Sequence, residues 1–350
     1  AQSMSLRESC IWLEDQFNIR MRKQSLDGRY NTDAVSFMKG CFERVLECVN
    51  GCSATSTIKF PFSCVQLTDA TLFRIPDSLA AFYEGFGGNF GESVLKMHLN
   101  YNLLDNTVAD ISLRSGKEND KKYFLGKEEQ IMKGGLYVRD LGYFHVEFFK
   151  AIAEAEAFFL SRGLSNMNYY LKKGDAWEKL DLKSVLPSAG EAIELDVCIG
   201  EKKNKRTKCR LILESVPEQV RQQRLSKVEQ KRRSSKNWKV SEFRKQMCGY
   251  NMFITNASRK DLPLSRIRYA YRLRWQIELI FKIWKSIFNI DKVKQMSIFR
   301  FECHLYATLI SILLSLNIEK ELEGFLWNEY GYQISPIKAI GILKKNSSIS

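Results

Sequence analysis

The 350-residue chain is predicted to fold as a mixed α/β sheet flanked by helices, preceded by a small helical region and interrupted by a basic, β-rich insertion. Three observations predict it. Between about residues 59 and 164, strand patterns run together and then alternate with helical ones. Between 165 and 249, strand-like segments lead into a Lys/Arg-rich helix; residues 201–245 hold 16 Lys and Arg against 5 Glu, so +11 of the formal net charge of +14 is gathered there. From 250 to 325 the α/β pattern resumes, with the segment YRLRWQIELIFKIWK from Tyr271 to Lys285, and 326–350 form a C-terminal segment.

Residues 1–58 carry two helical patterns, Leu6 to Met21 and Thr32 to Val49, parted by the turn-prone DGRYN. This region is a candidate DNA contact. The first residue is Ala, so the chain reads either as starting inside a longer gene product or as carrying a foreign remnant. Apolar runs then predict strands over FSCVQLTDA up to Ala70, Ser93 to Asp105 and Thr107 to Gly116, and a helical stretch follows near Leu125 to Met132. LYVRD predicts a strand ending at Asp140, HVEFFKAIAEAEA a helix, and AFFLSRGL the next strand. In the insertion, ELDVCIG and CRLILESV read as strands and Pro217 opens the basic helix. YNMFITNA is the following strand, Pro263 marks a loop, and Ile298 to Leu316 form an apolar helix.

The charge balance, with a pI near 9.3, favours a polyanion through long-range attraction and counterion release, and nucleic acid is the first candidate. A membrane partner is not expected, because LYATLISILLSL is too short to span a bilayer and reads as core. Nine cysteines without framework spacing, and no signal peptide, fit a reducing cytoplasm. Cys41, Cys48 and Cys52 lack the second pair of a zinc site, and His98, His145 and His304 read as structural. GFGG at Gly85 to Gly88 matches neither a P-loop nor a dinucleotide fingerprint and reads as a turn.

The segment Tyr271 to Lys285 fits Y-x2-R-x3-E-x6-K. At about 100° per residue on one continuous helix, Tyr271, Arg274, Glu278, Lys282 and Lys285 share a narrow stripe, while Leu273, Ile277, Leu279, Ile280, Ile283 and Trp284 fill most of the rest. A polar strip on a buried helix needs a partner. An ordinary surface arrangement, Glu278 pairing with Lys282 and Arg274 at four-residue spacing, accounts for the same pattern. Asp69 and Asp140 close predicted strands, and with Glu278 they make a carboxylate set of the kind that holds Mg²⁺ for in-line phosphoryl transfer, while Arg274 and Lys285 could hold phosphate. Asp105 and Asp110 are rival carboxylates, with solvated strand turns as their simpler role.

LTDATLF, RDLGYF, ITNAS and the Y-x2-R-x3-E-x6-K segment, in that order, resemble the cut-and-paste transposases of bacterial insertion sequences, specifically insertion-sequence family four; the likeness runs from about 25 to 325 and includes RYNTDAVSF and RLSKVEQKRR. The resemblance implies an RNase H-like core with a DDE triad of Asp69, Asp140 and Glu278 holding two Mg²⁺ ions, Mn²⁺ substituting. It implies end-DNA contacts from Tyr271, Arg274 and Lys285; the helix stripe adds Lys282, and the charge of the basic segment adds Arg232, Arg233 and Lys236 as expected DNA contacts. It further implies nicking at the element ends, hairpin formation and resolution, and strand transfer. The DNA partners would be terminal inverted repeats and a target, bound by a homodimer near the nucleoid. A base-stacking aromatic would be Tyr250 or Trp275, although Trp275 also reads as core. Two other readings share these residues: a non-cleaving relative that occupies terminal repeats as a repressor, and an RNase H-like nuclease.

Overall fold

The computed structural model describes residues 4–50, 60–124, 128–174, 176–200, 206–234, 240–332 and 335–347. In chain order its elements are α1 Leu6–Phe17, α2 Lys23–Asp27, α3 Thr32–Asn50, β1 Val65–Arg74, β2 Val94–Asn102, β3 Thr107–Ser115, β4 Leu136–Arg139, α4 Val146–Glu154, β5 Phe158–Arg162, β6 Tyr169–Lys173, β7 Ala176–Lys179, β8 Ala192–Ile199, β9 Thr207–Ser215, α5 Glu218–Ser234, α6 Glu242–Gln246, β10 Tyr250–Thr255, α7 Leu264–Arg272, α8 Trp275–Ser286, α9 Ile298–Tyr330 and α10 Pro336–Ser347. The strands run in the order β3-β2-β1-β4-β5-β10-β9-β8-β6-β7, a large mixed sheet with helices packed on it, as the sequence predicts. The chain divides into two compact units, one of Ala1–Lys59, Asp69–Asn119 and Trp275–Ser350 and the other of Phe60–Thr68 and Asp120–Arg274. The division passes through β1, so each unit carries its own part of the sheet.

In the first unit, β2 and β3 pair antiparallel from Leu95↔Ser115 to Asn102↔Thr107, with a register shift between Asn100 and Tyr101. β2 is buried along nearly its whole length, with Leu95, Met97 and Leu99 on one face and Val94 and the polar Lys96, His98 and Asn102 on the other. Asp105 caps the β2–β3 turn, accepting hydrogen bonds from the amide and the hydroxyl of Thr107 and from Asn102 Nδ2 at 2.8 Å, which makes it a turn residue rather than a ligand. α9 packs on α3, the Phe42 and Tyr306 rings meeting at 5.8 Å, and it buries Phe301, Leu305, Leu309, Ile312 and Leu313. His304 stacks on Tyr30 at 5.9 Å, a packing role. α9 runs 33 residues, well past the predicted Leu316, because the polar sequence after Asn317 is helix-forming up to Gly331, whose φ of 66° ends it. By length and composition alone α9 could cross a membrane, contrary to expectation; a third of its apolar window is buried within the protein.

In the second unit, β4 lies between the first half of β1 and β5, parallel to both, and all four of its residues are buried. β10 then pairs antiparallel with β5 and β9, and β8, β6 and β7 continue outward. The insertion therefore extends the sheet by four strands. Near Leu125 to Met132 the described residues form 3-10 turns, Asp120–Phe124 and Glu128–Gln130, in place of a helix; Tyr123 and Phe124 are anchored in the core, and Gly134, at φ 74°, turns the chain toward β4. Two cations of the basic 201–245 segment are structural. Arg210 is buried against Glu194 at 2.8 Å and donates to the carbonyls of Ala257 and Leu262, and Arg224 donates to the Tyr250 carbonyl at 3.0 Å and to Asn251 Oδ1 at 2.7 Å.

Candidate active site and nucleic-acid interface

Asp69 lies in the first unit, inside β1 rather than at its end, because TLFR continues the strand to Arg74. Its half-buried carboxylate accepts a hydrogen bond from the Ala70 amide at 2.8 Å. Glu278 lies in the same unit, in the first turn of α8, half-buried. Ile277, Ile280, Phe281, Ile283 and Trp284 bury the rest of α8, so Glu278, Lys282 and Lys285, at i, i+4 and i+7, form its polar face. That face opens into a groove of about 480 Å³ lined by Glu278, Phe281, Lys282, Lys285, Ser286 and Lys292. Lys285 Nζ also donates to the Leu72 carbonyl at 3.2 Å, tying the end of α8 to β1 three residues beyond Asp69. Lys292 belongs to no motif and was legible only as one of many lysines.

The signature segment is two helices. α7 ends at Arg272 and α8 begins at Trp275, and the step between them carries three-residue hydrogen bonds from Leu273 N to Ala270 O at 3.3 Å and from Arg274 N to Tyr271 O at 3.2 Å. Tyr271 and Arg274 therefore lie outside α8, which carries Glu278, and the segment is not one continuous helix. Trp275, the first residue of α8, is 58% exposed, so it is not core: no preceding turn of α8 covers it.

Asp140 lies in the second unit, immediately after β4, in extended backbone. It occupies the cap position of the 3-10 turn Leu141–Tyr143 without a side-chain capping bond, which leaves its carboxylate for other partners. Tyr271 supplies one: its hydroxyl donates to Asp140 Oδ1 at 3.1 Å across 131 residues of sequence. The Tyr271 ring packs on Phe253 at 5.3 Å, and Arg162 lies 6.0 Å above the Tyr271 ring. Burial, and after it the charge of Asp140, pushes the Tyr271 phenol well above its ordinary 10.0, so it remains a donor. Arg162 was not foreseen; its signal, SRGL at the end of β5, is unremarkable.

One further side chain in this unit is unusual. Arg139, directly before Asp140, is 1% exposed, and its guanidinium lies 3.2 Å from the Phe124 ring centroid and 3.6 Å from that of Phe148. None of its three nitrogens has a hydrogen-bond partner among the described residues, and burial pulls its pKa well below 12.5.

Of the remaining predicted contacts, Arg232 and Arg233 are exposed on α5, Arg232 pairing with Glu229 at 2.6 Å, and Lys236 lies outside the described residues. Tyr250 is half-buried at the start of β10. Among the described residues no group of three His, Cys, Asp or Glu side chains could hold a metal ion, and Cys52 lies outside them. The carboxylates are oxygen-only donors and half-buried. Mg²⁺ accepts such donors one or two at a time, its other positions filled by water and substrate phosphate rather than by an all-protein cage.

Comparison with known proteins matches residues 60–314 to the family model described as Transposase DDE domain. The transposase for insertion sequence element IS1151 of Clostridium perfringens is 33% identical over 348 residues, covering 93% of this chain and 72% of that protein. The transposase for insertion sequence element IS231F of Bacillus thuringiensis subsp. israelensis is 30% identical, covering 92% of this chain and 70% of that protein. Among solved structures, a piggyBac transposase synaptic complex with hairpin DNA aligns over 81% of this chain and 52% of that chain at 8% identity, with a TM-score of 0.46.

Proposed function

The chain belongs to the DDE transposases of bacterial insertion sequences, enzymes of DNA phosphoryl transfer that use divalent metal ions, and we propose that Asp69, Asp140 and Glu278 are its catalytic carboxylates. The observation that carries this reading is the Tyr271–Asp140 hydrogen bond, which joins two motifs far apart in sequence at one carboxylate. The strand order 3-2-1-4-5 at one end of the sheet supports an RNase H-like core around it.

Two Mg²⁺ ions held by the three carboxylates would lower the pKa of an attacking water or 3′-hydroxyl and offset charge on the leaving oxygen. The chain's own residues do the rest. Tyr271 donates to one oxygen of Asp140 and so fixes the direction in which the other presents its lone pairs. Lys282, Lys285 and Lys292 bind backbone phosphates in the groove beside Glu278, and Arg274 adds a bidentate donor. Arg232, Arg233 and Lys236 contribute long-range attraction.

The reaction sequence proposed is hydrolysis of the phosphodiester at each end, freeing a 3′-hydroxyl, and attack of that hydroxyl on the opposite strand, which closes a hairpin and releases the flanking DNA. Water then reopens the hairpin, and the regenerated 3′-hydroxyl attacks target DNA. Terminal inverted repeats and target are the substrates, and a homodimer pairs two ends. The test is cleavage of end-containing DNA by Asp69→Ala, Asp140→Ala and Glu278→Gln. Each should abolish Mg²⁺-dependent cleavage and keep DNA binding measurable; wild-type cleavage by any one of them removes that residue from the triad.

A further inference from the structure

The first unit presents three phenylalanines to solvent on the excursion between β1 and β2: Phe82 at 58%, Phe86 at 51% and Phe90 at 71% exposure. Large apolar side chains gathered outside a core mark a contact surface more often than chance exposure. The loop that bears them is a built frame. Gly85 N donates to Glu92 O at 2.7 Å and Gly87 N to Gly91 O at 2.9 Å, Ser93 Oγ donates to the Tyr83 carbonyl at 3.0 Å, and Tyr83, buried beneath, donates its hydroxyl to Glu302 at 2.8 Å. Gly91 has φ of 84°, and a Cβ there would sit 2.7 Å from Arg74 Nε, so the close return of the chain requires glycine. Phe86 and Phe90 meet edge to face at 6.1 Å and 71°, a geometry that leaves ring faces open.

The surroundings indicate what these rings meet. Two of the loop's three acids are paired, Glu84 with Lys117 and Asp77 with Arg74 at 2.8 Å, and Glu92 is the third. The base of the loop adjoins the lysine groove twice: Lys285 holds the Leu72 carbonyl two residues before Arg74, roughly 7 Å along the strand, and Gln295 donates to Ser78 Oγ at 2.8 Å three residues after Lys292. A DNA strand whose phosphates lie on Lys282, Lys285 and Lys292 is therefore led onto aromatic rings. Every base has a π-face and stacks on such rings without sequence preference, and apolar side chains wedge between bases that have lost their pairing.

We propose that Phe82, Phe86 and Phe90 form a base-stacking wedge for DNA whose bases have come unpaired. The proposal rests on the reading of the groove beside Glu278 as a phosphate track. It gives the loop a role wherever an end is melted or sharply bent, since an exposed base is otherwise left in water.

The experiment compares binding of the full chain to a fully paired duplex and to the same duplex with a short central bubble carrying 2-aminopurine. Wild type should bind the bubble more tightly and quench its fluorescence. Phe86→Ala/Phe90→Ala should lower bubble affinity by about tenfold or more, the scale of losing base stacking, with duplex affinity and melting temperature unchanged, and Phe86→Trp/Phe90→Trp should retain the preference. A double-alanine variant that still prefers and quenches the bubble overturns the wedge. So does a shift from dimer to monomer in sedimentation with the bubble preference intact, which would make the rings a protein contact. Duplex affinity that survives Lys282→Ala/Lys285→Ala/Lys292→Ala refutes the phosphate track separately, because it is read on the paired DNA.

Discussion

Tyr271→Phe removes one oxygen and nothing else from the site, so it isolates what the Asp140 hydrogen bond contributes. The bond is 3.1 Å long and its acceptor is a carboxylate. Hydrogen bonds to charged groups contribute about 1.5–3 kcal/mol; with both partners half-buried, the lower end applies, and some of that is regained when water replaces the phenol. Stability should fall by roughly 1 kcal/mol, which at this size moves Tm by about 1–2 °C. The effect on catalysis should be larger than that on folding. Asp140 has no capping bond of its own to the turn it begins, and without Tyr271 its carboxylate rotates among alternatives of which one serves the reaction. A loss of about 1.5–2 kcal/mol of orientation corresponds to roughly a ten- to thirtyfold slower cleavage. The assay is single-turnover cleavage of end-containing DNA across a Mg²⁺ titration, with DNA affinity measured on the same samples. Slower cleavage and a higher Mg²⁺ requirement at unchanged DNA affinity are expected. Because the phenol's pKa is raised, it stays protonated through neutral pH, and the ratio of wild-type to variant rate should be flat from pH 6 to 9. Wild-type rate and metal dependence in Tyr271→Phe would refute the positioning argument, and a loss confined to DNA affinity would return Tyr271 to the phosphate contacts.

Three other outcomes are expected. Lys282→Ala/Lys285→Ala/Lys292→Ala should reduce the slope of log affinity against log salt by roughly 2 to 3, at about 0.9 for each lost phosphate contact; an unchanged slope in a fluorescence-anisotropy titration assigns the three to a solvated face. Arg139→Met, which replaces a buried, unpaired cation by an apolar chain of similar length between Phe124 and Phe148, should leave thermal stability unchanged or raise it by about 1–3 kcal/mol, and a fall in Tm of several degrees would show that ring stacking outweighs desolvation. Glu319, 7% exposed on α9, has its carboxyl pushed up to about 7 by burial and by the Glu323 charge, so the stability it contributes is complete below its unfolded value of 4.5 and is lost as pH rises through 7. Glu319→Gln should therefore gain on wild type by at most about 3 kcal/mol between pH 4.5 and 8, and a pH-independent difference in denaturant midpoints would contradict that.

The strands β1 to β5 were legible because buried strands read as short apolar runs bounded by turn residues, and the basic helix α5 because Pro217 opens it and little in it is apolar. The break between α7 and α8 was not. It contains neither Gly nor Pro, its apolar period runs straight through Leu273, and it is marked by the three-residue hydrogen bonds that Ala270 and Tyr271 accept. Trp275 was misread by the same route, since an aromatic in the middle of a helix is core but one at its first residue has nothing above it. The partner of Tyr271 was illegible for a different reason: its distance from Asp140 along the chain is bridged by the order of strands, and no local pattern encodes that order.

The distribution of charge separates attraction from grip. Composition places most of the excess charge between 201 and 245, yet Arg210 is consumed by Glu194 and by carbonyls, Arg224 by the β10 backbone, and Arg206 by the Tyr170 ring at 3.5 Å. These cations hold the extended sheet together, and their charge reaches DNA only as part of the long-range field, which falls away within about a Debye length of 8 Å at physiological salt. The lysines of the α8 groove differ in degree, since Lys285 gives one hydrogen of its ammonium to the Leu72 carbonyl and carries two more. They are few and contribute little to net charge, but they lie on the face that carries Glu278 and beside the strand that carries Asp69. A count of charges therefore predicts where the protein is drawn to DNA, and the seating of each cation against its own backbone predicts which of them remain to hold a phosphate once it is there.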